Sequence, residues 1–258
     1  MRIIRIIVIV FILALAVVAL FCVRKSQYPK RTAPATTLGI ASQSSLAESA
    51  ANYKDAIASL EAKRVNLALR YQRAASDHGR TEIIAEARNL VALSIYNEIF
   101  PSWYGTAWDF NGTTEVPRQG KIACGYFVTT VLRDAGWRLQ RARLAQQASE
   151  NIIMSLTTDS YVKRFRRVAI DDFVSAVKKW GAGIYVVGLD IHTGFIVNTG
   201  EDVYFIHSSY VEPYAVVREK AIESKILEAS KYRVLGKVTD DDLFILKWLL
   251  RQEIVTRT

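Results

Sequence analysis

The chain has 258 residues, half of them apolar, and a formal net charge of +9 at pH 7. That composition excludes wholesale disorder and leaves room for one good-sized domain with accessory segments. Two cysteines, Cys22 and Cys124, exclude a disulfide framework and a cysteine-based metal site, and the positive charge is accompanied by no zinc-ligand spacing, RNA-binding signature or helix-turn-helix pattern.

The first element is an uncharged apolar run, Ile6 to Val23, flanked by Arg2 and Arg5 on one side and by Arg24 and Lys25 on the other. About 18 to 20 apolar residues span a bilayer as a helix, so residues 1–25 are expected to be a transmembrane anchor or uncleaved signal. Ala14-Leu15-Ala16 has the form of a cleavage site but falls in mid-run, and Phe21 is large for a residue preceding a lipidated Cys22. A cleaved or lipidated segment is the alternative. Basic residues on both flanks leave the orientation open. Residues 26–44 are polar and contain Pro29 and Pro34, the composition of a linker.

Residues 45–100 read as a helical hairpin. Leu46, Ala50, Tyr53, Ile57, Leu60, Leu67 and Tyr71 fall on one helical stripe, interrupted by Arg64. Ser76-Asp77-His78-Gly79 breaks the pattern and places His78 in an exposed turn. A second helix is expected from Thr81 to Phe100, with Ile84, Ala87, Val91 and Ile95 on its inner face. Packing against the following domain is the expected role of the pair.

Residues 101–258 form the remaining domain. A loop rich in Trp, Tyr, Gly and Thr leads to a helix from Cys124 to Ala135, stopped by Gly136. Leu139 to Thr157 and Ile170 to Trp180 read as helical, and the basic run Tyr161 to Arg167 as a solvated surface. Strands are expected at Gly183–Leu189, His192–Asn198 and Asp202–His207, the last two joined by the tight turn Thr199-Gly200-Glu201. A helix from Val216 to Ser230, a strand from Tyr232 to Val238 and a helix opened by the acids Asp240 to Asp242 complete the chain. Helices gathered before and after an antiparallel sheet indicate an α+β domain.

Cys124 begins a helix after a glycine-containing loop. A thiol there lies at the positive end of the macrodipole, which favours thiolate, and unpaired first-turn N–H groups could stabilise an oxyanion. Read alone, a single cysteine is more often a small buried hydrophobe. A base is needed, and the chain has three histidines. His192 begins one strand of the expected hairpin and His207 ends the other, so both imidazoles fall at one end of the sheet.

These residues resemble a family. Trp108-Asp109-Phe110-Asn111-Gly112-Thr113-Thr114 and Gly120-Lys121-Ile122-Ala123-Cys124-Gly125-Tyr126-Phe127-Val128 are similar to the loop and nucleophile helix of NlpC-type cell-wall endopeptidases, which are papain-like cysteine peptidases. His192-Thr193-Gly194-Phe195-Ile196 resembles that family's His-x-Gly strand, and Phe205-Ile206-His207-Ser208-Ser209 the strand bearing its third polar residue. The family usually has Asp-Cys-Ser-Gly, where this chain has Ala123 and Gly125 beside the cysteine; Trp108 stands where a Tyr often supports the oxyanion.

The resemblance implies a papain-like core in which Cys124 attacks an amide, His192 is the base and His207 orients it, with Glu212 the runner-up for that third place. Tyr104, Trp108 and Gly125 are candidates for the groove or oxyanion support, with Trp103 beside them. It implies no cofactor and no metal, and a substrate in peptidoglycan peptides or another amide. The expected setting is a bacterial envelope, with the domain outside the cytoplasm and membrane attachment through the N-terminal helix; no nucleic-acid partner is expected. A catalytically silent, envelope-binding scaffold, or an acyltransferase or amidase acting outside peptidoglycan, is the alternative.

Overall fold

The computed structural model describes residues 43–258. The apolar N-terminal run, Cys22 and nearly all of the expected linker lie outside the described residues, and among those described no helix is long and apolar enough to cross a membrane. The architecture is mixed helix and sheet, α+β, around an antiparallel sheet.

Helix α1 (Gln43–Arg73) and helix α2 (Asp77–Ser94) form the hairpin. Helix α2 begins four residues before the expected Thr81, because the Ser76 hydroxyl caps it by accepting from the Gly79 N–H. His78 therefore lies in a first helical turn, exposed and facing Glu82 at 3.3 Å. Arg64 is not a flaw in the α1 stripe. It is buried, donates to the Leu249 carbonyl at 2.7 Å and is paired with Glu61 at 2.8 Å, so the interruption is a tether to the C-terminal helix. Tyr53 makes a second tether: its hydroxyl donates to Asp134 at 2.7 Å and accepts from the Trp103 indole at 2.9 Å. Tyr53, Leu60, Leu67, Ile83, Ala87 and Val91 join Trp137 and Trp248 in one apolar core. A π-helical turn (Ile95–Ile99) carries the chain into the short α3 (Phe100–Trp103).

Short strands β1 (Ala107–Trp108) and β2 (Lys121–Ile122) pair in parallel, and α4 (Cys124–Asp134) follows. After β3 (Arg138–Leu139), the stretch read as one helical region divides into α5 (Arg141–Ala145) and α6 (Ser149–Leu156). The basic run forms strand β4 (Val162–Arg166), paired with the later strand Tyr232–Lys237. It is an outer strand, and its cations keep that edge solvated: Arg164 pairs with Glu150, and Lys163 lies over Trp180. Helix α7 (Ile170–Trp180) precedes strands β5 (Gly183–Leu189), β6 (Thr193–Asn198) and β7 (Val203–Ser208).

The largest departure from the sequence reading comes next. Val216 to Ser230 is not a helix but strand β8 (Val216–Lys220) followed by a 3-10 turn and the five-residue α8 (Lys225–Ala229). The β-branched pair Val216-Val217 aligns with β7, in the register His207↔Val217 and Phe205↔Glu219, and sheet pairing prevails over a weak local helical preference. Strand β9 (Tyr232–Lys237), α9 (Asp242–Leu249) and β10 (Glu253–Ile254) close the fold. Asp241 caps α9 by accepting from the Leu243 and Phe244 N–H groups, and its second oxygen accepts from Thr157 and Thr158.

The sheet order is β4-β9-β5-β6-β7-β8, antiparallel throughout. Alternate residues of the central strands enter two cores. Val186, Phe195 and Ile206 pack with α4 and the hairpin, while Tyr185, Val187, Ile196 and Phe205 pack with α7 and α8. Coverage on both faces explains why β5 and β6 read as nearly continuous apolar runs.

Candidate active site

Cys124 is held by what precedes it. Gly112 comes so close to β2 that a Cβ there would lie 2.5 Å from the Ile122 nitrogen, and its carbonyl accepts from the Ala123 N–H at 2.8 Å. Ser208, at the end of β7, donates to the Ile122 carbonyl at 2.7 Å and ties this segment to the sheet. Ala123 is the N-cap of α4 and offers no side-chain acceptor. The first-turn N–H groups are thus left for the thiol and for whatever reacts with it. Gly125 has a steric reason: a Cβ there would lie 2.3 Å from the Ala145 carbonyl oxygen, so α5 packs directly on the first turn of α4.

The thiol is half-buried. Burial pushes it up, against the lowering effect of the backbone N–H groups of Thr193, Gly125 and Cys124 itself. The sequence argument from the helix dipole predicts a thiolate; in the folded chain desolvation outweighs the helix end, and the resting group is a thiol.

His192 immediately precedes β6, and His207 lies in β7. Gly194 brings them together. A side chain at 194 would put its Cβ 2.7 Å from that of His207 and 2.8 Å from the Phe205 ring. In the space so left, His192 Nε2 lies 2.9 Å from His207 Nδ1. His207 Nε2 in turn lies 3.2 Å from Glu219 Oε1, on β8. Both imidazoles are buried. Burial, and then His207, hold His192 well below its ordinary value; burial lowers His207 as well, only partly opposed by Glu219. Burial pushes the Glu219 carboxyl up, but hydrogen bonds from His207 and Ser224 outweigh it and keep the group an anion near neutrality.

These contacts determine the tautomers. A carboxylate only accepts, so His207 donates from Nε2 to Glu219. Neutral His207 then has a lone pair on Nδ1, which accepts from His192 Nε2–H. Neutral His192 is left with its lone pair on Nδ1, the nitrogen not committed to His207. The chain Glu219-His207-His192 therefore prepares an imidazole to receive a proton.

Two cavities meet at the thiol, and Cys124, Gly125, Ala145, Ile191 and His192 line both. The larger, about 660 Å³, is walled by Trp108, Phe110, Tyr126 and Tyr210; the smaller, about 280 Å³, by Gln147, Ser149 and Asp190. Cys124 and His192 thus share one opening, whereas His207 is fully buried behind His192.

Other expected residues lie elsewhere. Glu212 is exposed, and the place beside His207 belongs to Glu219. Trp103 is completely buried against Tyr53 and Phe127, because its indole N–H is satisfied inside the core. Tyr104 packs against the same core and is absent from both cavity walls; burial pushes its hydroxyl up to about 12. Trp108 does line the groove, beside Tyr210. Phe110, Tyr126, Ile191, Tyr210 and Glu219 are site residues that the sequence reading missed. For Glu219 the available signal was the β-branched pair two residues before it. For Phe110 and Ile191 it was a large apolar side chain in a loop beside a candidate catalytic residue.

Among the described residues, no group of three or more His, Cys, Asp or Glu side chains is placed to hold a metal ion. Comparison with known proteins finds no matching family model, curated protein or solved structure.

Proposed function

We propose that the chain is a cysteine hydrolase of the papain-like, NlpC type, in which Cys124 is the nucleophile, His192 the base and acid, and His207 and Glu219 positioning residues. The observation that carries this reading is the contact series: a half-buried carboxylate and two imidazoles in line leave a proton-accepting nitrogen on the histidine that shares a cavity with the one cysteine of the domain. A nucleophile helix packed on an antiparallel sheet, with the histidines on adjacent strands, supports the finer fold assignment.

In the proposed reaction, Cys124 Sγ attacks the acyl carbon as its proton passes to His192 Nδ1, forming the S–C bond. The N–H groups at the start of α4 stabilise the oxyanion. His192 returns the proton to the departing nitrogen, the C–N bond breaks, and a thioester remains. Water, deprotonated by His192, attacks the thioester carbon, and the thiolate leaves with that proton to restore the thiol. The raised thiol and lowered imidazole make the resting pair neutral, so proton transfer accompanies attack.

The resemblance supplies the wall peptide as substrate, and the +9 charge suits an anionic envelope polymer. Membrane attachment outside the cytoplasm belongs to the same proposal. Purified protein should release fragments from peptidoglycan or hydrolyse an activated acyl ester, and Cys124→Ala should abolish both; equal rates with the variant would remove Cys124 from the mechanism. Ala123 and Gly125, in place of the family's Asp and Ser, and burial of the thiol favour a silent scaffold. Iodoacetamide separates the two: a thiol alkylated faster in the presence of His192 than in His192→Ala is base-assisted, and equal slow rates would support the scaffold.

A further inference from the structure

The larger cavity is unsuited to a charged substrate. Its walls carry aromatic and aliphatic groups, a few neutral polar ones, and no Lys, Arg, Asp or Glu side chain. Phe110 and Ile191, each 80% exposed, are the most exposed large apolar side chains among the described residues, and both line this cavity. Exposing them costs about 1.5–3 kcal/mol each relative to burial, and a ligand that covers them recovers part of it. Tyr126 is fixed as a wall by Gln146, which donates to its hydroxyl at 3.1 Å, and by the Arg141 guanidinium 4.8 Å from its ring centroid.

The smaller cavity differs in kind. Gln147, Ser149 and Asp190 contribute to it, and the Asp190 carboxylate accepts from the Lys231 N–H at 2.7 Å. In acyl transfer the departing nitrogen takes one proton from His192 and leaves as a neutral amine, which takes a second proton from water to become a cation that a carboxylate suits; the acyl part remains on sulfur and stays neutral. The two cavities meet at Cys124, so an acyl donor lying across the thiol has one half in each.

We propose that the groove walled by Trp108, Phe110, Tyr126, Ile191 and Tyr210 holds the apolar acyl chain of an amide or ester donor. This rests on Cys124 being the nucleophile, and it sets aside the wall peptide as substrate, since its free carboxylates would find no cation in the groove, in favour of donors with an aliphatic acyl arm.

A series of p-nitrophenyl esters from acetyl to decanoyl tests it on the full chain. kcat/KM should rise about fourfold for each methylene that enters the groove, and Phe110→Ser, a change at an exposed position, should flatten the rise with an unchanged unfolding midpoint. A Cys124-dependent rate that does not depend on chain length, or a preference for muropeptides over decanoyl donors, overturns the proposal and leaves the hydrolase reading intact. Hydrolysis of every ester that survives Cys124→Ala overturns both. A measurement without turnover isolates the groove: decanamide should bind Cys124→Ala protein by calorimetry with a negative heat-capacity change and bind Phe110→Ser/Cys124→Ala more weakly. Absence of binding, or equal binding to both proteins, also overturns it.

Discussion

Glu219→Gln changes the relay without changing its shape, which makes it the sharpest test of the proposed chemistry. The carboxylate lies 3.2 Å from His207 Nε2 and only accepts; an amide can instead donate. A donor at that place lets His207 carry its proton on Nδ1, which would then donate to His192 Nε2 and move the His192 proton to Nδ1. The base would face the thiol in the wrong tautomer. A hydrogen bond to a charged group is worth about 1.5–3 kcal/mol, so loss of the preference corresponds to roughly a ten- to hundredfold fall in kcat/KM. The fall should be mainly in kcat, because Glu219 lies behind the histidines and lines neither cavity. Ester hydrolysis gives the rate, and the nitrogen chemical shifts of the imidazoles report the tautomers directly. A variant with wild-type rate and unmoved shifts would refute the tautomer argument. A lowered rate with unmoved shifts would assign Glu219 a purely structural part.

Further expectations concern stability and packing. His192 and His207 are both held below the ordinary value of 6.5. As pH falls below that value, the unfolded chain takes up protons that the folded chain resists, so stability present at pH 7.5 should decline at up to about 1.4 kcal/mol per pH unit for each histidine. Urea midpoints at pH 7.5 and 5.5 should show this decline, smaller in His192→Asn; a flat profile would contradict the burial argument. Gly194→Ala sets two Cβ atoms 2.7 Å apart and should cost about 1–3 kcal/mol while abolishing base-assisted alkylation of Cys124. Alkylation at the wild-type rate would show that the strands can part without loss. Tyr53→Phe removes the bond to Asp134 and leaves the buried Trp103 indole without an acceptor, for a loss of about 1–3 kcal/mol in urea unfolding. No loss would mean that the hairpin is docked by its apolar stripe and the Arg64 tether without help from Tyr53.

The parts of the fold legible from sequence were those governed by neighbours in sequence. The histidine hairpin could be read because β6 and β7 are joined by a tight turn, with Gly200 at φ +95°, and each carries its imidazole near the same end. Helix α4 could be read from its apolar face and from Gly136. Strand β8 could not, since five residues gain their conformation from pairing with β7, and Glu219 was lost with it. Trp103 and Tyr104 looked like groove residues by composition alone and are not, whereas Trp108 does line the cavity as expected; Tyr126 and Tyr210 join it there through contacts between distant segments. The direction of the Cys124 shift was likewise invisible, because the helix end is a local feature and burial is not.

Strand β8 ends the sheet. Its first residue is secured by Gly105 and Thr106, which bond to Val216 at 2.9 and 2.8 Å, but Glu219 lies three residues further along, where β7 is the neighbouring strand. The anion beside His207 therefore rides on a margin of the molecule, and on the proposed mechanism fraying of a few amides there would reach Cys124 through two rings. Proton traffic at the thiol would then be coupled to how often that border peels open, a quantity that amide exchange at Arg218 and Glu219 would read out.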